Sequence, residues 1–352
     1  MADSSPTALA VIPPSPSPTP TIPADHPSSP VPFGKVTLEE RERLQGLLRS
    51  SRAPNTLRAY AVGWKAFQAW CSTSGRAACP AEPATVALFI ESLVARRASA
   101  ATVGVYVSAI RHVHHRLELV APTTHPRVIE ALEAARRTLG TRPKNRKAAL
   151  TWDELERMLT AVDRLGFLGT RDAAMLLLCF AAALRRSELV GLRRDDLRID
   201  QRGLVLTIRR SKTDQEGKGE EIAVARHPRD PVLCPVVAVE RWLALMKRAG
   251  WDRQPHLFVQ MPGDIVEPVP DYTFARMVKA YAAAAGLDPR KYSGHSLRVG
   301  LVTQAVRNGV PVTVIQAQTR HRSSEMIAVY RREADAFTSG VGVEIYERRM
   351  TK

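Results

Sequence analysis

Apolar residues recur at three- and four-residue spacing from "VTLEERERLQGLL" to "VIEALEAARRTLG", and this rhythm predicts four or five packed helices. Their starts are marked by "SRAPNT", "CPAEPAT" and "RASAAT", where capping and proline residues precede the apolar positions. "TWDE", Thr151 to Glu154, carries Thr and Glu at the spacing of a capping box and opens a second helical region. There "AAMLLLCFAAAL", Ala173 to Leu184, is an unbroken apolar run of twelve residues, long enough for a buried helix and too short to span a bilayer. Next come short β-like segments, "LRID", "GLVLTIRRS" and "EEIAVAR", the last two flanking the turn-forming "DQEGKG" as a hairpin would. Helical spacing returns from about Pro235. The pattern predicts a mainly α fold with a small β-sheet: an all-helical domain followed by a mixed α+β domain.

Outside these patterns lie segments of other kinds. Residues 1–34 are rich in Pro, Ser and Thr and poor in large apolar side chains, so they are expected to form a disordered tail. "TRPKNRK", residues 141–147, carries Arg142, Lys144, Arg146 and Lys147 without an acid, which reads as a linker able to follow a phosphate backbone. The expected organisation is therefore a tail (1–34), a helical domain (35–140), a basic linker (141–150), a second domain (151–332) and a C-terminal tail (333–352). A length of 352 residues suits two domains of ordinary size.

Charge narrows the partner. Lys and Arg number 51 against 35 acids, a net +16 that favours a polyanion. Four cysteines (Cys71, Cys79, Cys179, Cys234) form no C-x-x-C pair, which indicates neither a disulfide framework nor a zinc knuckle and fits a reducing cytosol. Asp3 stands where an export signal carries a cation, so no signal peptide is expected.

Four places concentrate charge beyond what amphipathic patterning requires. Arg185 and Glu188 are three apart after the apolar run and read, taken alone, as an ion pair at a helix end. Lys212 lies at the mouth of the expected hairpin. His295 and Arg298 are again three apart at a helix start, where backbone N–H groups favour an anion. His321 and Tyr330 complete the set, nine positions apart. Two arginines, a lysine and two histidines all donate hydrogen bonds, and a phosphodiester is the substrate that requires so many donors around one tyrosine.

The order R-x-x-E, hairpin K, H-x-x-R, then H with Y nine later, in "LRRSEL", "SKTDQEG", "SGHSLRVG" and "RHRSSEMIAVY", resembles the tyrosine recombinases of the phage integrase family. The likeness covers roughly residues 36–348, and "NTLRAYAVGWKAFQAWC" looks like the family's core-binding domain. The hairpin and C-terminal tail are most similar to those of Cre-type recombinases. Two positions depart from the pattern: Arg320, where many relatives have glycine, and Arg186, where a small or apolar residue is common.

The resemblance implies a C-shaped clamp around double-stranded DNA with inverted-repeat half-sites. It implies site-specific cutting and rejoining through a 3′-phosphotyrosine, without metal or cofactor. Tyr330 would be the nucleophile; Arg185 and Arg298 would stabilise the phosphate, Lys212 would act as general acid, and His295 and His321 would bond the phosphate. Glu188 would orient Arg185 and His295. A homotetramer on DNA, joined through the C-terminal tail, and a cytoplasmic, nucleoid-associated location follow from the same likeness. Two alternatives stay open: type IB topoisomerase-like relaxation, and a DNA-binding protein of this fold that does not cut.

Other features carry no chemistry. His112 and His115 in "RHVHHR" share a helical face but have no third metal ligand at a convincing spacing, so a DNA-facing or solvated helix is expected there. Trp64 and Trp70 fall at core spacing, and Asp195 with Asp196 forms an isolated acidic pair suited to a helix terminus or the surface.

Overall fold

The computed structural model describes residues 52–142, 147–209, 219–261 and 265–320, with Thr37, Glu39, Glu40, Arg43 and Ile327. Two compact units divide at Lys144 and Asn145. The expected tails (1–34 and 333–352) and most of "VTLEERERLQGLL" lie outside the described residues.

The described part of the first unit contains α1 (Pro54–Thr73), α2 (Pro83–Ala95), α3 (Ala100–Arg116) and α4 (Pro126–Leu139). Proline opens three of these helices, where its missing N–H removes no helical bond. Ser99 caps α3, its hydroxyl accepting from the Thr102 N–H at 3.0 Å. Phe67, Phe89, Ile90, Val103, Ile110 and Val128 form the core. Trp64 and Trp70 pack against it, the Trp70 ring 5.5 Å from that of Phe89, in line with the core role expected of both.

"RHVHHR", expected to face DNA or solvent, is partly turned inward, with His115 exposed and His112 half-buried. His114 is buried; its Nε2 accepts from the Ala81 N–H at 2.9 Å, leaving Nδ1 to donate to Ile110 O at 2.8 Å. His112 lies against Tyr60, and burial together with Arg116, Arg52 and His115 holds it below the usual histidine range. Among the described residues no group of three His, Cys, Asp or Glu is placed to hold a metal ion, and no helix is long and apolar enough to cross a membrane.

The second unit begins with the expected capping box: the Thr151 N–H donates to Glu154 Oε2 at 2.8 Å, and the Glu154 N–H to Thr151 Oγ1 at 3.4 Å. Helices α5 (Trp152–Thr160), α6 (Phe167–Ala181) and α7 (Arg186–Gly191) follow. The three β-like segments are real strands, β1 (Leu197–Ile199), β2 (Gly203–Ile208) and β3 (Glu220–Ala225), in one antiparallel sheet. Leu204 pairs with Val224 and Leu206 with Ile222, all four side chains facing the core. After α8 (Pro235–Arg248), a two-stranded ribbon, β4 (Val259–Gln260) with β5 (Glu267–Pro268), is too short to have announced itself in the sequence. Helices α9 (Asp271–Ala284), α10 (Gly294–Arg307) and α11 (Val312–Thr319) complete the unit.

The core of this unit gathers around α6, buried continuously from Ala173 to Phe180, and Trp242, whose Nε1 donates to Leu257 O at 2.7 Å. Asp196 is buried and accepts from the Arg193 N–H at 2.8 Å and from Arg209 Nε, while Asp195 is exposed. The acidic pair thus closes a short 3₁₀ turn, as the helix-terminus reading expected.

Helix α10 is held unusually close to the segment before α5. The Leu150 N–H donates to Ser296 O at 2.9 Å, and a Cβ on Gly300 would lie 1.7 Å from Leu150 O. Only glycine permits this approach. Gly300→Ala is expected to cost about 1–3 kcal/mol, as overpacking does, and to lower the thermal midpoint in circular dichroism. A wild-type melt would show that α10 can shift without loss.

Candidate active site

The chain leaves α6 through a left-handed residue, Ala183 (φ +48°), with the Leu184 N–H closing back on Cys179 O at 3.1 Å. Arg185 follows in extended conformation as the N-cap of α7. Glu188 then reaches back: Oε2 accepts from the Arg185 N–H at 2.8 Å and Oε1 from Arg185 Nη1 at 2.6 Å. The pair read from sequence as a helix-end ion pair forms, and one carboxylate fixes both the backbone and the guanidinium of Arg185.

Helix α10 brings the second pair. The Ser293 N–H donates to Ser296 Oγ at 3.0 Å and sets the helix start. His295 occupies the first turn and is exposed; Arg298, one turn on, is only 2% exposed. Arg298 Nη1 donates to Ala183 O at 2.6 Å and Nη2 to Thr319 O. These bonds tie the turn before Arg185 to the end of α11, two residues before His321.

That helix end is where the sequence departed from the expected glycine. Arg320 is left-handed, φ +56°, so the turn keeps the conformation that glycine would favour. Its side chain folds inward, 8% exposed, and Nη2 donates to Glu188 Oε2 at 2.8 Å. Gln318 adds a third tie, Nε2 to Ala181 O at 2.9 Å. Burial alone would raise the Glu188 carboxyl, but the charge of Arg320 and the bonds from Arg185 and Arg320 outweigh it and hold the group below the usual carboxylate range. Sequence reasoning missed this role of Arg320, because no local pattern distinguishes a buried guanidinium from a solvated one. Arg186, the other departure, bridges Asp271 in the first turn of α9 at 2.9 Å.

Arg185, Glu188 and Arg298 are therefore joined to the threshold of the 321–330 segment. Lys212, His321 and Tyr330 lie outside the described residues, although β2 and β3 pair as the two arms of the hairpin expected to carry Lys212. The hairpin tip and C-terminal tail that carry the likeness to Cre-type recombinases also lie outside. Of the linker cations, Arg142 is exposed and Lys147 donates to Arg290 O at 2.7 Å; Lys144 and Arg146 lie outside the described residues. The exposed His295 in the first turn of α10 and the part-buried Arg185 are each suited to an anion such as a phosphate.

Comparison with known proteins extends this geometry. The model for the phage integrase family matches residues 148–336, and that for the phage integrase N-terminal SAM-like domain matches residues 44–119. An integrase/recombinase XerD homolog of Selenomonas ruminantium is 34% identical over 318 residues, 89% of this chain and 91% of that protein. The tyrosine recombinase XerD of Xanthomonas axonopodis pv. citri is 33% identical over 190 residues, 53% of this chain and 59% of its own. In fold, the chain is similar to a lambda integrase dimer bound to a COC′ core site (TM-score 0.55, 17% identity, 86% of this chain and 97% of that one). It is likewise similar to XerH recombinase bound to palindromic difH substrate in a post-cleavage complex (TM-score 0.54, 15% identity, 85% and 82%).

Proposed function

The chain belongs to the phage integrase family, and from that premise we infer that it is a tyrosine-type site-specific recombinase acting on double-stranded DNA. The observation that supports the reading is the pair of bonds from Arg298 to Ala183 O and Thr319 O, which ties the H-x-x-R helix to the turn before Arg185 and to the end of α11. The topoisomerase alternative is not favoured, since the relatives are named recombinases and integrases.

In the proposed reaction the Tyr330 oxygen attacks the scissile phosphorus while the bond to the 5′-oxygen breaks, leaving a 3′-phosphotyrosine. His295, exposed on the first turn of α10, takes the tyrosine proton, and Lys212 protonates the departing 5′-oxygen. Arg185 and Arg298, with His321, balance the charge that builds on the non-bridging oxygens. Glu188 keeps Arg185 in place, and religation reverses the steps. Incubation of the full chain with a labelled suicide duplex tests the reading. A band that survives denaturation supports it, and its absence overturns it.

The domain limits read from the sequence, 35–140 for DNA binding and 151–332 for catalysis, go with this reading, the linker 141–150 between them. Paired inverted half-sites would assemble a homotetramer, with Phe337, Val341, Val343 and Ile345 of the tail docking on a neighbouring protomer. These residues lie outside the described ones. If the linker follows the phosphate backbone, replacing Arg142, Lys144, Arg146 and Lys147 together by Ala flattens the slope of log K against log salt by about 0.9 per lost contact. Fluorescence anisotropy over a salt series measures this, and an unchanged slope would take the linker off the DNA.

A further inference from the structure

We propose that Arg320 is a positioning residue of the cleavage centre, acting through Glu188 to hold Arg185 and to fix the end of α11 against it. The inference rests on the recombinase reading, because it assigns Arg185 to the phosphate.

Three observations support it. The backbone of Arg320 is left-handed at φ +56°, where glycine sits without strain and a residue with a Cβ does not. Nothing in the turn itself calls for arginine. Second, the guanidinium is buried rather than offered to solvent: Nη2 donates to Glu188 Oε2 at 2.8 Å, while Nε and Nη1 have no hydrogen-bond partner among the described residues. Glu188 is thus the acceptor that compensates this buried charge. Third, Glu188 Oε2 is shared, accepting from both Arg320 Nη2 and the Arg185 N–H, while Oε1 holds Arg185 Nη1. One carboxylate joins the helix start that presents Arg185 to the residue immediately before His321.

The groups around Glu188 define what removal of Arg320 does. Arg185 faces it from the start of α7, Arg320 from the end of α11, Cys179 from α6, and Arg298 lies beside Cys179 from α10. The Cys179 thiol is pushed up by burial and by Glu188 and stays neutral. Arg320 is the strongest influence lowering the Glu188 pKa. Without it, the carboxyl takes up a proton at higher pH, and its hold on Arg185 is then lost as pH falls through that raised value.

The test is single-turnover covalent trapping on a suicide duplex at saturating DNA, from mildly acid to mildly alkaline pH, with the full chain and its R320G and R320K variants. R320G is expected to bind the half-site as the wild type does. Its adduct formation should be slower by roughly ten- to a hundredfold, the scale of a misplaced catalytic group, with the acid limb displaced to higher pH. R320K, which keeps the charge, should recover most of the rate. Should R320G melt early, R320Q replaces it in the same comparison with R320K. A wild-type rate and pH profile in the uncharged variant overturns the proposal, and so does equal slowing of charged and uncharged variants at every pH, which indicates packing alone. A wild-type chain that forms no adduct at all removes the recombinase reading and this inference together, so the two failures are distinguishable.

Discussion

Tyr330→Phe is expected to bind a duplex half-site with unchanged affinity and to form no covalent adduct. The substitution removes one oxygen, and that oxygen is the proposed nucleophile. A free tyrosine ionises near pH 10, so generating the phenolate at pH 7 costs about 4 kcal/mol at 1.36 kcal/mol per unit. In the proposed centre the arginines, lysine and histidines assigned to the phosphate would offset that cost, and none of them can replace the nucleophile itself. A denaturing gel with labelled suicide substrate, run beside an anisotropy titration, separates chemistry from binding. A surviving covalent band would move the nucleophile to another residue. Loss of binding together with the adduct would mean that the hydroxyl serves the complex before it serves the reaction.

Arg298→Ala is expected to lose both stability and cleavage. Ala183 and Thr319 are fully buried, and each would keep a carbonyl oxygen deprived of its guanidinium donor. Each such loss costs about 1–3 kcal/mol, and a domain of this size drops about 2–4 °C in thermal midpoint per kcal/mol. On the chemical side, removing a donor aimed at transition-state charge costs on the order of 100–1000-fold in rate. Arg298→Lys would keep the charge but not the fork that reaches two carbonyls at once, so it should restore little of either property. Melting curves and trapping rates on the same preparations decide the matter. Normal cleavage in a destabilised variant would confine Arg298 to bracing the fold, and a wild-type melt with lost cleavage would confine it to the phosphate.

Local sequence was sufficient for most of what depends on residues near one another in the chain, the short β4–β5 ribbon excepted. The capping box at Thr151 and Glu154, the proline-led helices of the first unit, the buried run from Ala173 and the three strands between Leu197 and Ala225 all follow from spacing of two, three or four residues. The pairing of Arg185 with Glu188 belongs to the same class, since an N-cap residue and the residue three positions on meet across a helix start. The site residues, in contrast, were legible only as an ordered set of motifs whose resemblance to a family gave them a common purpose. No spacing rule says that Arg298 reaches back to Ala183, 115 positions earlier in the chain, or that Arg320 reaches Glu188 across 132. Those contacts exist because α10 packs against both α6 and α11, and two guanidinium groups are buried there where each must find an acceptor. The sequence accordingly determined the elements, the charge and the order of the reactive residues. Tertiary structure alone decided which arginine faces which carbonyl or carboxylate, because burial, which makes such partners obligatory, is a property of the packed chain and not of any stretch within it.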